Sequence, residues 1–321
     1  MAANGISTLE FKRARQNAKL ALAADKRAIS GRRSNLDISQ LTTVYSPTDN
    51  TIINNPNLNG LIVGRPWTNQ TPLQSLITSM FGSNEQGAIY VPMPVVNGVQ
   101  SLFQGAAGTT PVTADGDPVG RMLDQSGNGY HAIQSVSGSR PVYRTDGVLH
   151  WFEGDGIDDW LSAGDVEGLD SISSLTIALG LNTPTGSLQQ SPIAKWAASG
   201  SGPFGMLIDF IQTNARFFFG TASPTSGSVL RDGSPAVFYY QAGSGESKIF
   251  KNAQLIGTGS VASVTPNTNE PLSIGAKTDF GSPSAFFDGP IYAIVVATKV
   301  LSNSDRDNLN AYVAAQSGVT L

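Results

Sequence analysis

The sequence predicts a mainly β fold: an antiparallel β-sandwich preceded by an N-terminal α-helix and an extended arm. Three observations carry this expectation. Charged residues make up only 14% of the 321, while glycine alone fills 35 positions, a balance that many short strands joined by small polar turns produce. From Phe204 to Phe210 the apolar residues Phe204, Met206, Ile208 and Phe210 alternate with Gly205, Leu207 and Asp209, the period of two that gives an extended chain one core-facing side. The run Asp124-Gln125-Ser126-Gly127-Asn128-Gly129 demands a tight turn with backbone angles that most side chains forbid. Short apolar stretches flank it, so it joins strands rather than opening a helix.

The elements follow in chain order. Ser7-Thr8-Leu9-Glu10 is a capping box, with Ser7 as N-cap and Glu10 reaching back, and Gly31 is a natural stop. Between them Phe11, Ala14, Ala18, Leu22 and Ile29 recur at helical spacing as a narrow stripe. A helix this long and this charged is marginal without a partner. Residues 1–33 hold eight basic residues against Glu10 and Asp25, a charge of +6, so the rest of the chain, with the whole at −4, carries −10. This basic segment is expected to grip another protein's acidic surface through Phe11 and Leu22 and through Lys12, Arg13, Arg15 and Arg27; the alternative is a solvated helix face.

Residues 34–98 read as an extended arm with small docking elements, dominated by Asn, Pro, Thr and Gly, and Leu73–Phe81 has the makings of one short helix. A small β-domain with Trp67 and Phe81 in its core is the competing reading. The sandwich is expected over residues 99–321, with strands at Leu175–Leu181, Arg216–Phe219, Ala236–Gln241, Lys248–Phe250, Leu255–Ile256 and Pro290–Thr298. Lys251-Asn252-Ala253-Gln254 would turn one hairpin. A closing helix begins at Ser302 as N-cap, with Asp305 at the third position and Leu309, Tyr312 and Val313 on one face.

Composition narrows the function classes. The chain has no cysteine, which excludes disulfides and thiolate metal sites. Its apolar runs fall short of the roughly 18 residues a membrane helix needs, and charges interrupt residues 1–30 where a secretory signal would be apolar. A net charge of −4 gives no reason to expect nucleic-acid binding. Synthesis in a cytoplasm without an export signal is the expectation.

A set of landmarks then falls in a telling order. Asp124–Gly129 is followed by His131-Ala132 and Gln134, by Arg140-Pro141, by Trp151-Phe152-Glu153-Gly154, and by Asp158-Asp159-Trp160-Leu161. Later come Ile249-Phe250-Lys251-Asn252, then Phe287-Asp288-Gly289-Pro290-Ile291 and the run from Leu301-Ser302 to Tyr312. Over about 220 residues this resembles laminin-G-like, concanavalin-A-like jelly-roll domains. At the turn after Asn252 the family usually has Asn-Gly, and Ala253 stands in the glycine's place. The lead-in from Ser101-Leu102-Phe103-Gln104 to Thr109-Thr110-Pro111-Val112 is similar to that of tail-fibre and other bacteriophage structural proteins.

The resemblance implies a virion structural protein, tail- or fibre-associated, anchored by its N-terminus and displaying a jelly roll to host-surface glycan. Its partners would be other virion proteins of the tail, baseplate or portal region, and it would be a homo-oligomer, with a trimer common among phage fibres. A capsid decoration or head-fibre protein bound to the major capsid protein is one alternative, and a glycan depolymerase is another. No catalytic residue is assigned. Glu153-Gly154-Asp155 has the i, i+2 spacing that puts two carboxylates on one strand face, but the third acid that similar glycosidases add is missing. His131 and His150 belong to no triad or metal pair, and His131 reads as a structural, hydrogen-bonding residue. Relatives often carry a loop calcium, for which Asp124, Asn128, Asp155 and Asp158, with Asp159, offer oxygens; otherwise these residues cap their own turns. No other cofactor is expected. Trp151, Trp160, Trp196 and Tyr239-Tyr240 are candidate sugar platforms or ordinary packing.

Overall fold

The computed structural model describes residues 43–46, 51–54, 72–170, 172–196, 205–220, 225–261, 270–279 and 281–321. The chain divides into two compact units, Met1–Asn69 and Gln70–Leu321. In the first, β1 (Thr43–Ser46) and β2 (Thr51–Asn54) form an antiparallel hairpin with Val44 opposite Ile53. The expected N-terminal helix, with Phe11, Lys12, Arg13, Arg15, Leu22 and Arg27, lies outside the described residues.

The second unit starts with α1 (Pro72–Phe81) and β3 (Gly87–Tyr90), followed by a small hairpin of β4 (Val95–Val96) and β5 (Val99–Gln100). Short strands β6 (Leu102–Phe103), β7 (Arg121–Met122) and β8 (Ala132–Ile133) flank long loops, and β9 (Val142–Thr145), β10 (His150–Asp155) and β11 (Leu161–Ser162) follow. Longer strands come next: β12 (Leu175–Asn182), β13 (Gln190–Trp196), β14 (Gly205–Ile211), β15 (Asn214–Phe219), β16 (Thr225–Ser228), β17 (Pro235–Gly243), β18 (Glu246–Lys251) and β19 (Gln254–Ser260). The chain closes with β20 (Ser273–Ile274), β21 (Lys277–Asp279), β22 (Ser282–Ser284), β23 (Asp288–Ala297) and α2 (Asn303–Ser317).

Two antiparallel sheets stack. An eight-stranded sheet runs β19-β18-β17-β12-β23-β10-β9, with β3 also on β23, and a nine-stranded sheet runs β16-β15-β14-β13-β20-β11-β8-β7-β6. Strand neighbours that are distant in sequence, such as β12 beside β23 and β13 beside β20, make this a jelly-roll sandwich of the concanavalin-A-like kind. The core between the sheets holds Phe152, Ile177, Leu179, Ile193, Ile208, Phe210, Phe217, Phe238, Tyr240 and Ile294. Ile208 and Phe210 face inward as the alternation predicts, and the core aromatics meet edge-on, Phe210 against Phe238 at 5.2 Å between centroids.

The opposite face of the eight-stranded sheet is apolar as well, which gives β12, β17 and β23 their continuous hydrophobic runs. Here α1 and α2 cover Ala178, Val237, Tyr239, Val295 and Ala297 with Leu73, Leu76, Met80, Leu309 and Val313. The Ser302 hydroxyl accepts the Asp305 amide at 3.1 Å, the N-cap bond that the sequence predicts, and donates to the Asp305 carboxylate at 2.7 Å. α2 crosses β12 over Gly180, where an added Cβ would lie 3.0 Å from Val313 and 3.2 Å from Ser317.

One expected boundary moves. Residues 70–98 belong with the sandwich rather than with the arm, because β3 pairs with β23 from Gly87↔Ala297 to Tyr90↔Ile294 and α1 packs over the same sheet. The sequence reading missed this because β3 is only four residues long and its partner lies some 200 residues away.

Candidate functional site on the outer face of the nine-stranded sheet

Among the described residues, no helix covers the outer face of the nine-stranded sheet. The β21–β22 hairpin lies over its middle, where the Thr278 and Ser273 hydroxyls meet at 3.3 Å. To one side, β13, β14 and β15 present a polar and aromatic group. Ile193, Ile208, Phe217 and Phe219 point into the core, so Trp196, Asp209, Arg216 and Phe218 point outward. Trp196 and Phe218 pack edge to face with centroids 5.3 Å apart, and the Arg216 guanidinium sits 5.2 Å above the Phe218 ring.

Asp209 holds this group in place. It is fully buried although it faces outward, because Arg216 grips it with Nε at 2.7 Å and with Nη2, while Gln189 donates to the same carboxylate. A buried carboxylate needs such a charge-assisted, two-pronged partner. The result is a rigid, half-exposed surface of ring edges and a guanidinium plane, bordered by the exposed Ser226 and Ser228 of β16. It offers stacking and neutral hydrogen bonding. Its one described acid, Asp209, is paired with Arg216.

Trp196 was legible as a candidate aromatic; Phe218, Arg216 and Asp209 were not singled out. The signal that would have found them is the turn at Gln212-Thr213, which sets Asp209 opposite Arg216. Of the other aromatics, Tyr240 lies in the core and Tyr239 under the helices. Trp151 packs on Tyr292 at 5.6 Å, on the helix-bearing side of the eight-stranded sheet.

The residues considered for calcium do not come together as one set. Both oxygens of Asp124 are occupied: Oδ1 accepts the amides of Ile89 and Ser126 (both 2.9 Å), and Oδ2 accepts the Ser126 hydroxyl at 2.7 Å and the Tyr130 amide at 3.1 Å. The Asn128 amide donates to the Gly87 carbonyl at 2.8 Å. This loop therefore staples the β7–β8 connection to β3, with Gly127 and Gly129 at φ 95° and 84°. Asp124 and Asn128 do not fit a metal. Asp155, Asp158 and Asp159 do bring carboxylate oxygens within 4.8 Å of one another. There Asp155 Oδ1 caps its own turn through the Ile157 and Asp158 amides, at 2.8 and 3.2 Å, and Asp158 Oδ2 accepts the Ser139 hydroxyl at 2.9 Å. Of the four, Asp155 and Asp158 are the two whose carboxylates lie together, with Asp159 beside them.

The other candidate chemistry is structural. His131 Nδ1 accepts the Asp124 amide at 3.1 Å, and burial, with the Arg121 charge, holds the ring's pKa below its usual value. His150 meets the Tyr143 hydroxyl at 2.6 Å. Glu153 is paired with Arg144 at 2.9 Å on the helix-bearing side of its sheet, away from the outer face described above.

No protein-family model matches this sequence, and no curated protein sequence matches it. Among solved structures, the CBM40 domain of Ruminococcus gnavus IT-sialidase bound to α2,3 sialyllactose is similar at 17% identity and a TM-score of 0.38, over 44% of this chain and 83% of that one. The binding domain of botulinum neurotoxin DC in complex with SialylT is similar at 13% identity and a TM-score of 0.42, over 60% and 48%. Trypanosoma rangeli sialidase in complex with the inhibitor DANA is similar at 12% identity and a TM-score of 0.44, over 74% of this chain and 38% of that one. The sandwich rests on its own two sheets.

Proposed function

We propose that this chain is a non-catalytic display protein of a bacteriophage particle, whose jelly roll contacts glycan through the outer face of its nine-stranded sheet. One observation carries the glycan reading: Trp196, Phe218 and Arg216 form a fixed, half-exposed stacking surface, and sugar rings offer apolar C–H faces to such surfaces. Asp209 is paired with Arg216 and the Glu153–Asp155 pair lies elsewhere, which supports binding over cleavage, since a glycosidase sets two carboxylates across the sugar. The virion role is supported by the resemblance of the Ser101–Val112 lead-in to phage structural proteins. The basic segment at residues 1–33 is the part assigned to grip other virion proteins.

The test is binding of the full chain to a panel of immobilised bacterial capsular and lipopolysaccharide glycans. At least one glycan should bind and remain at full length. Trp196→Ala and Phe218→Ala should each weaken that binding about tenfold, equivalent to roughly 1.4 kcal/mol. Undiminished binding by both variants would remove this face from the account, and shortened polysaccharide would replace display by hydrolysis.

A further inference from the structure

We propose that Lys195 and Asp165 become joined by an intramolecular amide bond, with Asp170 relaying the proton that the reaction must move. Lys195 sits near the end of β13 and faces inward, since it lies two residues beyond core Ile193 and opposite Met206, whose other neighbour is core Phe219. Its side chain is 1% exposed. Nζ lies 2.6 Å from Asp165 Oδ1 and 3.1 Å from Asp170 Oδ1, and donates to the Glu270 carbonyl at 2.9 Å. Both acids come from the crossover between β11 and β12, on either side of the buried Val166 and Leu169.

In this cluster one buried ammonium faces two carboxylates, and Asp170 is only 12% exposed. Removing charges from water is costly unless each is paired. Converting the ammonium and the Asp165 carboxylate into a neutral amide removes one buried ion pair and leaves the amide N–H to donate to Asp170. Strand β13 and the packed crossover hold the reacting atoms together, and fixed proximity of this kind supplies much of a condensation barrier.

The step balances without an oxidant or cofactor. A first Nζ proton passes along the 2.6 Å contact to Asp165, leaving a neutral amine beside a carboxylic acid. The Nζ–H groups that remain are within reach of Asp170 and the Glu270 carbonyl, and the freed lone pair turns from Oδ1 onto the adjoining Asp165 carboxyl carbon. Nζ attacks that carbon, the C–N bond forms, and a second Nζ proton goes through Asp170 to the departing hydroxyl. One C–O bond breaks and one water leaves. Asp165, at 36% exposure, gives that water a way out. The bond would tie β13 of the nine-stranded sheet to the crossover that feeds the eight-stranded one.

Intact mass and peptide mapping of the denatured full chain decide it. The chain should be lighter than its sequence by one water, and cleavage after Glu167 should leave the pieces bearing Asp165 and Lys195 joined. Lys195→Arg and Asp165→Ala should restore the full mass of each variant sequence. Asp170→Asn should fold with the full mass as well, because the relay is gone; a cross-linked Asp170→Asn chain would overturn the role of Asp170. A wild-type chain of full mass, with the two residues on separate peptides, would overturn the bond itself.

Discussion

Asp159 carries a charge that its surroundings oppose. Burial, and then the neighbouring carboxylates of Asp155 and Asp158, raise its pKa to about 6. The unfolded chain holds that proton only up to a pH of about 4. Between those two values the folded state binds more protons, so this residue's contribution to stability falls as pH rises through the window and is fully lost above it. Asp159→Asn keeps an acceptor for the Asp155 amide without the charge. It should melt at a higher temperature than wild type at pH 7 and at the same temperature at pH 4; a gap unchanged between those pH values would refute this reading. At the same scale, Asp124 was readable as a turn-forming residue because the five residues after it, Gln125 to Gly129, form a tight loop. The burial of Asp209 was not readable, because it depends on Arg216 and Gln189 arriving from neighbouring strands.

The β18–β19 hairpin shows what one position can cost an element. Its two turn residues, Asn252 and Ala253, have φ of 48° and 63°, the type I′ geometry that matches the twist of paired strands. The substitution of alanine for the usual glycine raised the prospect of a different turn, yet the geometry is kept. Asn252 holds it by exchanging hydrogen bonds with Val237 on β17, 2.8 Å each way. Ala253 therefore bears the left-handed strain that its Cβ imposes. Ala253→Gly should stabilise the chain by about 0.5–1 kcal/mol in denaturant unfolding, with no change in the slope; an unstable variant would mean that the turn is not strained. Long strands and both helices of the second unit were legible because their patterns are local: alternation in β14, an N-cap in α2. Two-residue strands such as β7, β8 and β20 were not, since only their partners define them.

At the scale of the whole molecule, the placement of residues 70–98 decides where an independent domain can be cut. β3 lengthens the edge beside β23 where β10 stops pairing, and its Ile89 amide supplies one of the hydrogen bonds that hold Asp124. α1 shields the apolar outer face of the same sheet with Leu73, Leu76 and Met80. A fragment starting at residue 99 would expose that face along with an unpaired strand edge, the combination that drives aggregation. A fragment of residues 70–321 keeps every one of these contacts. It should therefore purify as a soluble domain and show the full chain's cooperative unfolding and glycan binding, yet fail to co-purify with phage particles, since it lacks the basic segment assigned to attachment. Residues 99–321 should precipitate or unfold without a cooperative transition. A stable, monomeric 99–321 fragment would show that β3 and α1 are dispensable, and particles that retain 70–321 would place the grip in the sandwich instead.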